Sequence, residues 1–136
     1  MAPEQAERIA IESDADVVTA RQRARELAAA LALSSTDQTL LATAISEVAR
    51  NITTYAQRGE VAVAIVEDHG GRRGIRVVAV DEGPGIEDVE RALTDGYTTG
   101  GGLGLGLPGA RRLVDEFDIQ TAPGEGTRVT LVKWTR

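Results

Sequence analysis

The chain has 136 residues, with 42% hydrophobic and 26% charged side chains, which fits one soluble domain long enough to bury a core. Aromatics are only 3%, so that core must be Leu, Ile, Val and Ala, and the absence of cysteine excludes disulfides and thiolate metal sites. A net charge of −6 argues against general binding to nucleic acid or to an anionic membrane, where a basic surface is expected.

In chain order, residues 7–13 alternate as ERIAIES, which predicts a short strand with Ile9 and Ile11 inward. Asp14 or Asp16 can cap a helix over residues 17–33, with Val17, Ala20, Ala24, Leu27, Ala28 and Leu31 on one face. Ser35 or Thr36 can cap a second helix that runs to about Ala56. Its apolar stripe is Leu41, Ala44, Ile45, Val48, Ile52 and Tyr55, with Gly59 as the C-cap. Residues 60–67 and 75–80 read as a hairpin around the turn HGGRRG, which takes up Arg72, Arg73 and the single histidine, His69, as solvated turn residues.

DEGPGI (81–86) is a tight turn at a strand end, and residues 87–93 suit a short helix. The stretch TTGGGLGLGLPG (98–109) holds six of the fifteen glycines. It leads into a helix with Pro108 in its first turn and Leu107, Ala110, Leu113, Val114 and Phe117 along it. Strands at 119–121 and 127–133, joined by the turn 123–126, close the chain. This order predicts an α+β fold, a two-layer sandwich with a mostly antiparallel sheet and the helices on one face. No basic-then-apolar leader and no membrane-length run occur, so a cytoplasmic location is the default expectation.

Three stretches could carry chemistry. On the second helix Glu47, Arg50 and Asn51 are spaced i, i+3, i+4 and share one side at the rim of the apolar stripe. An amide oxygen there can ligate Mg²⁺ and a carboxylate can accept a proton; the bland alternative is a solvated flank. At the strand end, Asp81 can accept hydrogen bonds from a ligand amine, and Gly83 and Gly85 would let a flat ring approach the backbone, although D-x-G-x-G is also a plain turn. The glycine-rich stretch can cradle phosphate on main-chain N–H groups, or act as a hinge. It matches G-x-G-x-x-G at 104–109, but no apolar strand leads into Gly104, and no Gly-Lys-Ser/Thr of a Walker loop occurs.

Singly these motifs decide nothing; their order does. An E-x-x-x-N helix, a DEGPG turn, a glycine-rich lid and a G-x-G-T hairpin in one small sandwich resemble the GHKL ATP-binding superfamily, over nearly the whole chain. The resemblance implies the Bergerat ATP-binding fold, a single ATP-binding serine kinase domain over residues 1–136, and ATP with Mg²⁺ as cofactors. Asn51 resembles the family's Mg²⁺-binding asparagine, Asp81 its adenine-binding aspartate, and Thr127 its adenine-proximal threonine. Gly83, Gly85 and Ile86 belong to the adenine-side turn, and Gly102, Leu103, Gly104, Leu105 and Gly106 to the phosphate lid. Glu47 is the implied base toward a serine hydroxyl.

The segments TAISEVARNITTYA, EDHGGRRG, DEGPGI, GGLGLGLPGARRLVDEFDI and the terminal KW-x-R look similar to stressosome switch kinases of the RsbT type. That likeness implies transfer of the ATP γ-phosphate to STAS-domain antagonist and scaffold proteins (RsbS/RsbR-like), followed by release to activate a PP2C-type phosphatase (RsbU-like). The alternative is an anti-sigma factor kinase that binds a sigma factor directly and phosphorylates an anti-anti-sigma factor. Such kinases often carry an arginine just before the lid glycines, where Gly102 and Leu103 stand here, which favours the switch kinases.

Overall fold

The computed structural model describes residues 6–85 and 106–135. They form β1 (Ala6–Ile11), α1 (Asp14–Ala30), α2 (Ser35–Tyr55), β2 (Gly59–Glu67), β3 (Arg73–Asp81), α3 (Gly106–Leu113), β4 (Glu116–Thr121) and β5 (Thr127–Trp134). The helix expected at 87–93 lies outside the described residues. The strands make one sheet in the order β1-β2-β3-β5-β4, and every neighbouring pair is antiparallel. The α+β sandwich expected from the element order is thus borne out.

Alternation along the strands builds the core. Val61 pairs with Ala79 and Val63 with Val77, and β5 continues both rows with Val129 and Leu131. These buried rows meet Val17, Ala20, Ala24 and Ala28 of α1 and Leu41, Ala44, Ile45, Val48 and Ile52 of α2. Full burial of side chains such as Leu41, Ile45 and Ile52 contributes roughly 1.5–3 kcal/mol each, so packing, not propensity, fixes α2 on the sheet.

The helix ends differ from expectation in instructive ways. α1 starts three residues early, at Asp14, after an extended Ser13 whose side chain makes no cap bond. Asp16 serves the entry from inside the first turn, its Oδ2 accepting from the Glu12 N–H at 2.9 Å and the Ser13 hydroxyl at 3.3 Å. For α2 the cap is Ser34, one residue before the expected pair, its Oγ accepting from the Asp37 N–H at 3.0 Å. Tyr55 is 41% exposed and leaves the stripe, while the next residue, Ala56, lies against Gly83. Gly59 is not the C-cap. Ala56 is, with Gln57 at φ 70, while Gly59 opens β2, where a Cβ would stand 2.4 Å from the Val80 carbonyl oxygen.

Away from the chemistry-bearing end, two clusters pin the sheet. In the β2–β3 turn, Asp68 Oδ1 accepts from the N–H groups of Arg72 (2.8 Å) and Gly70 (2.9 Å). The Arg72 N–H bond above all lowers the Asp68 carboxyl below its usual range. A depressed carboxylate stabilises the turn at neutral pH, and that contribution is lost as pH falls through the carboxylate range. Arg72 also lies over the Trp134 ring, 5.1 Å from its centroid, so it clamps the two hairpins together. Lys133, only 4% exposed, donates from Nζ to the Leu113 carbonyl at 3.1 Å and pairs with Asp37 at 3.5 Å, joining β5 to the end of α3 and the start of α2. Phe117 belongs to β4, not to the preceding helix, because α3 stops at Leu113 and Asp115 turns back, its N–H donating to the Val132 carbonyl. Among the described residues no helix is long and apolar enough to cross a membrane.

Candidate functional site

One row of residues crosses the sheet at its other end. Ile11 pairs with Gly59, Gly59 with Asp81, Asp81 with Thr127, and Thr127 with Thr121. Residues opposite one another in such a row point to the same face, which puts Asp81 and Thr127 side by side. Both are buried, Asp81 at 8% exposure.

Three bonds set what this pair can accept. Asp81 Oδ1 accepts the Gly83 N–H at 2.9 Å, so the DEG turn closes on its own aspartate. Among the described residues Asp81 Oδ2 has no hydrogen-bond partner. The Thr121 hydroxyl donates to the Gly126 carbonyl at 2.8 Å, and Thr121 Oγ1 lies 3.0 Å from Thr127 Oγ1. With the Thr121 proton committed to the Gly126 carbonyl, Thr127 is the donor left for that contact and keeps its own lone pairs as acceptors. The register partners Asp81 and Thr127 thus bring one carboxylate and one hydroxyl acceptor to the same face, which suits a ligand group with N–H donors.

The glycines here have structural reasons rather than the room for a flat ring expected of Gly83 and Gly85: on Gly83 a Cβ would stand 2.6 Å from the Ala56 Cβ. Gly126 takes φ +77, and a Cβ on it would sit 2.2 Å from the Asp81 carbonyl oxygen. Gly85, at φ +76, faces the Ala122 carbonyl at 2.1 Å in the same sense, so its bare side is filled by protein. The Gly124 N–H donates to the Pro84 carbonyl at 2.6 Å. The DEGPG and PGEGT turns interlock, which is a physical reason for the two motifs to occur together.

On α2, Glu47 is 9% exposed and so more deeply set than the rim position read from the sequence. The cause is α3, which packs against α2 with Leu107 and Ala110 buried. Glu47 Oε2 accepts the N–H of Gly106, the first residue of α3, at 2.8 Å, and Oε1 lies 3.3 Å from Arg50 Nη1. The Gly106 N–H expected for a phosphate is given to this carboxylate, the acceptor that suits the positive end of a helix. Asn51 is half-buried one residue beyond Arg50. The two clusters share one end of the sandwich, since a Cβ on Gly59 would lie 2.8 Å from the Ile52 side chain and 3.2 Å from Asp81 Cβ. Ile86, Gly102, Leu103, Gly104 and Leu105 lie outside the described residues.

Among the described residues no three His, Cys, Asp or Glu side chains cluster as a metal site. The amide oxygen of Asn51 is instead a single donor of the kind suited to Mg²⁺, which keeps waters and phosphate oxygens as its other ligands. Reading the sequence by itself missed the Thr121 hydroxyl, the Gly106–Glu47 bond and the buried Lys133. Only the first had a signal, since counting back from the PGEG turn puts Thr121 opposite Thr127.

Comparison with known proteins gives a consistent picture. The sequence profile described as a histidine kinase-like ATPase domain matches residues 11–133. The serine/threonine-protein kinase RsbT of Bacillus subtilis (strain 168) is 44% identical over 128 residues, 94% of this chain and 96% of that protein. An anti-sigma F factor of Thermoanaerobacter sp. (strain X514) is 29% identical over 68% of this chain and 66% of its own length. The crystal structure of the RsbU and RsbW domains of a Mycobacterium tuberculosis protein superposes with a TM-score of 0.65 at 22% identity, covering 99% of this chain and 33% of that one, a likeness of fold.

Proposed function

The chain belongs to the histidine kinase-like ATPase domain family and, within it, to the RsbT-type serine/threonine-protein kinases, and on that premise we propose that it moves the ATP γ-phosphoryl group onto a serine of a STAS-domain protein. The observation that carries this reading is the buried Glu47 carboxylate, one helical turn before Asn51 and hydrogen-bonded to the start of α3. Phosphoryl transfer needs positioning and charge neutralisation more than covalent help, which is why a fixed carboxylate beside a metal-binding amide supports the reading.

In this reading Glu47 takes the serine proton. Asn51 holds Mg²⁺, which when bound neutralises phosphate charge. The uncommitted oxygen of Asp81, beside Thr127, receives the adenine amino group. Gly83, Gly85 and Ile86 form the turn beside the base, and the amides of Gly102, Leu103, Gly104 and Leu105 steady the phosphates. Gly106 acts on Glu47 rather than on phosphate. One kinase domain spans residues 1–136 and works in the cytoplasm. Its substrates are RsbS- and RsbR-like proteins, and on release it activates an RsbU-like PP2C phosphatase in stress control of a sigma factor.

Incubation with labelled Mg-ATP and the STAS proteins encoded beside it should put label on a STAS serine. No label on any of them would end the kinase assignment to these substrates. Asn51→Ala should lower Mg-ATP affinity by about tenfold or more, as expected for a lost ligand to a bound ion. Calorimetry giving the unaltered affinity would remove Asn51 from the metal site. The anti-sigma likeness supports a second reading, direct sigma-factor binding with phosphorylation of an anti-anti-sigma factor. Retention of a sigma factor by the immobilised protein would favour it.

A further inference from the structure

Glu47 is itself buried, on a stretch of α2 where Ala44, Ile45, Val48 and Ala49 are buried too. A carboxylate this far from water needs donors, and it has two, from different elements. Oε2 accepts the Gly106 N–H of α3 at 2.8 Å, while Oε1 faces Arg50 Nη1 at 3.3 Å on its own helix. The Arg50 side chain is 52% exposed, so its guanidinium reaches in from the solvent side and touches the carboxylate from without.

One donor does not fix a glutamate. Its last torsion is broad and roughly two-fold, so the Gly106 N–H alone could be met by either oxygen with the carboxylate plane at several tilts. A second donor on the other oxygen removes that freedom. We propose that Arg50 is the positioning residue of the transfer step, holding Oε1 so that the lone pairs left on Glu47 face the incoming serine hydroxyl.

The inference rests on the reading of Glu47 as the base. In that step the serine Oγ attacks the γ-phosphorus and forms the new O–P bond. Its proton passes to the Glu47 carboxylate. The bond from the γ-phosphorus to the β–γ bridging oxygen breaks, and ADP leaves with that electron pair. Arg50 exchanges no proton, because a guanidinium stays charged throughout.

The contact is single, long and half in solvent, and such pairs add little to stability. Removing it should therefore cost orientation and not the fold, which makes the proposal separable from a structural role. In the labelling assay, Arg50→Ala should lower turnover at saturating Mg-ATP by about 10- to 100-fold, the scale of a misplaced reacting group. Affinity for a fluorescent ATP analogue should stay within about two-fold, and the melting temperature should not move. Arg50→Lys should recover much of the turnover, and millimolar guanidinium ion should partly rescue Arg50→Ala.

Wild-type turnover in Arg50→Ala overturns the proposal. So does a loss matched by falling ATP affinity or melting temperature, since that is structural damage. Failure of the underlying reading looks different. In that case the unaltered protein labels no STAS serine, or Glu47→Ala still transfers, and Arg50 has no base to position.

Discussion

Replacing Glu47 by alanine is expected to slow phosphoryl transfer by about 10²- to 10⁴-fold, the usual contribution of a general base, with Mg-ATP binding close to that of the unaltered protein. Glutamine should be as slow, but for a narrower reason. Its amide oxygen still accepts the Gly106 N–H, so the start of α3 stays anchored, yet it cannot take a proton. Alanine removes the acceptor too and leaves that N–H without its partner. A hydrogen bond to a charged group is worth about 1.5–3 kcal/mol, so Glu47→Ala should also melt earlier and exchange the amides of Gly106–Leu113 faster than Glu47→Gln. Two measurements thus divide two roles of one side chain. Undiminished transfer in the glutamine variant ends the base assignment. Equal hydrogen exchange in the two variants would instead show that Glu47 does not hold α3.

The comparison of sequence with structure follows the same division between local pattern and tertiary contact. Helix stripes and strand alternation were legible, because they depend on spacing within a segment: Val17, Ala20, Ala24 and Ala28, and Leu41, Ala44, Ile45, Val48 and Ile52, are all core. What spacing could not supply was the partner across the fold. Glu47 read as a rim residue, since nothing local announces that α3 will cross it. Gly59 read as a cap because glycines end helices, whereas the Val80 carbonyl and Ile52 are what exclude a side chain there. Lys133 read as the end of a strand, although its ammonium is buried between Leu113 and Asp37, each distant in sequence. Of the candidate site, Asp81 was legible as a carboxylate at a strand end, and Thr127 was picked out by likeness to a family. That they are register partners is a property of the β3–β5 pairing.

That pairing is why Asp81→Asn is the second decisive change. The Gly83 N–H already claims Oδ1, so an asparagine must put its amide oxygen there and its NH₂ group in the place of Oδ2. The turn and the fold are kept. The atom proposed to face the adenine, however, changes from acceptor to donor. An adenine amino group would then meet a donor, losing a hydrogen bond of about 1.5–3 kcal/mol and gaining repulsion, which corresponds to roughly 10- to 100-fold or more in ATP affinity. A guanine has a carbonyl oxygen at the equivalent ring position, so the same variant should narrow the preference for ATP over GTP, or reverse it. Alanine at 81 offers no such contrast, because it also removes the acceptor that closes the turn on Gly83. Calorimetry with Mg-ATP and Mg-GTP, alongside a melting curve of the protein alone, reads all three expectations. If Asp81→Asn bound ATP as tightly as the unaltered protein, the adenine would have to be read by other atoms, and the acceptor pair at the end of β3 and β5 would need a different ligand.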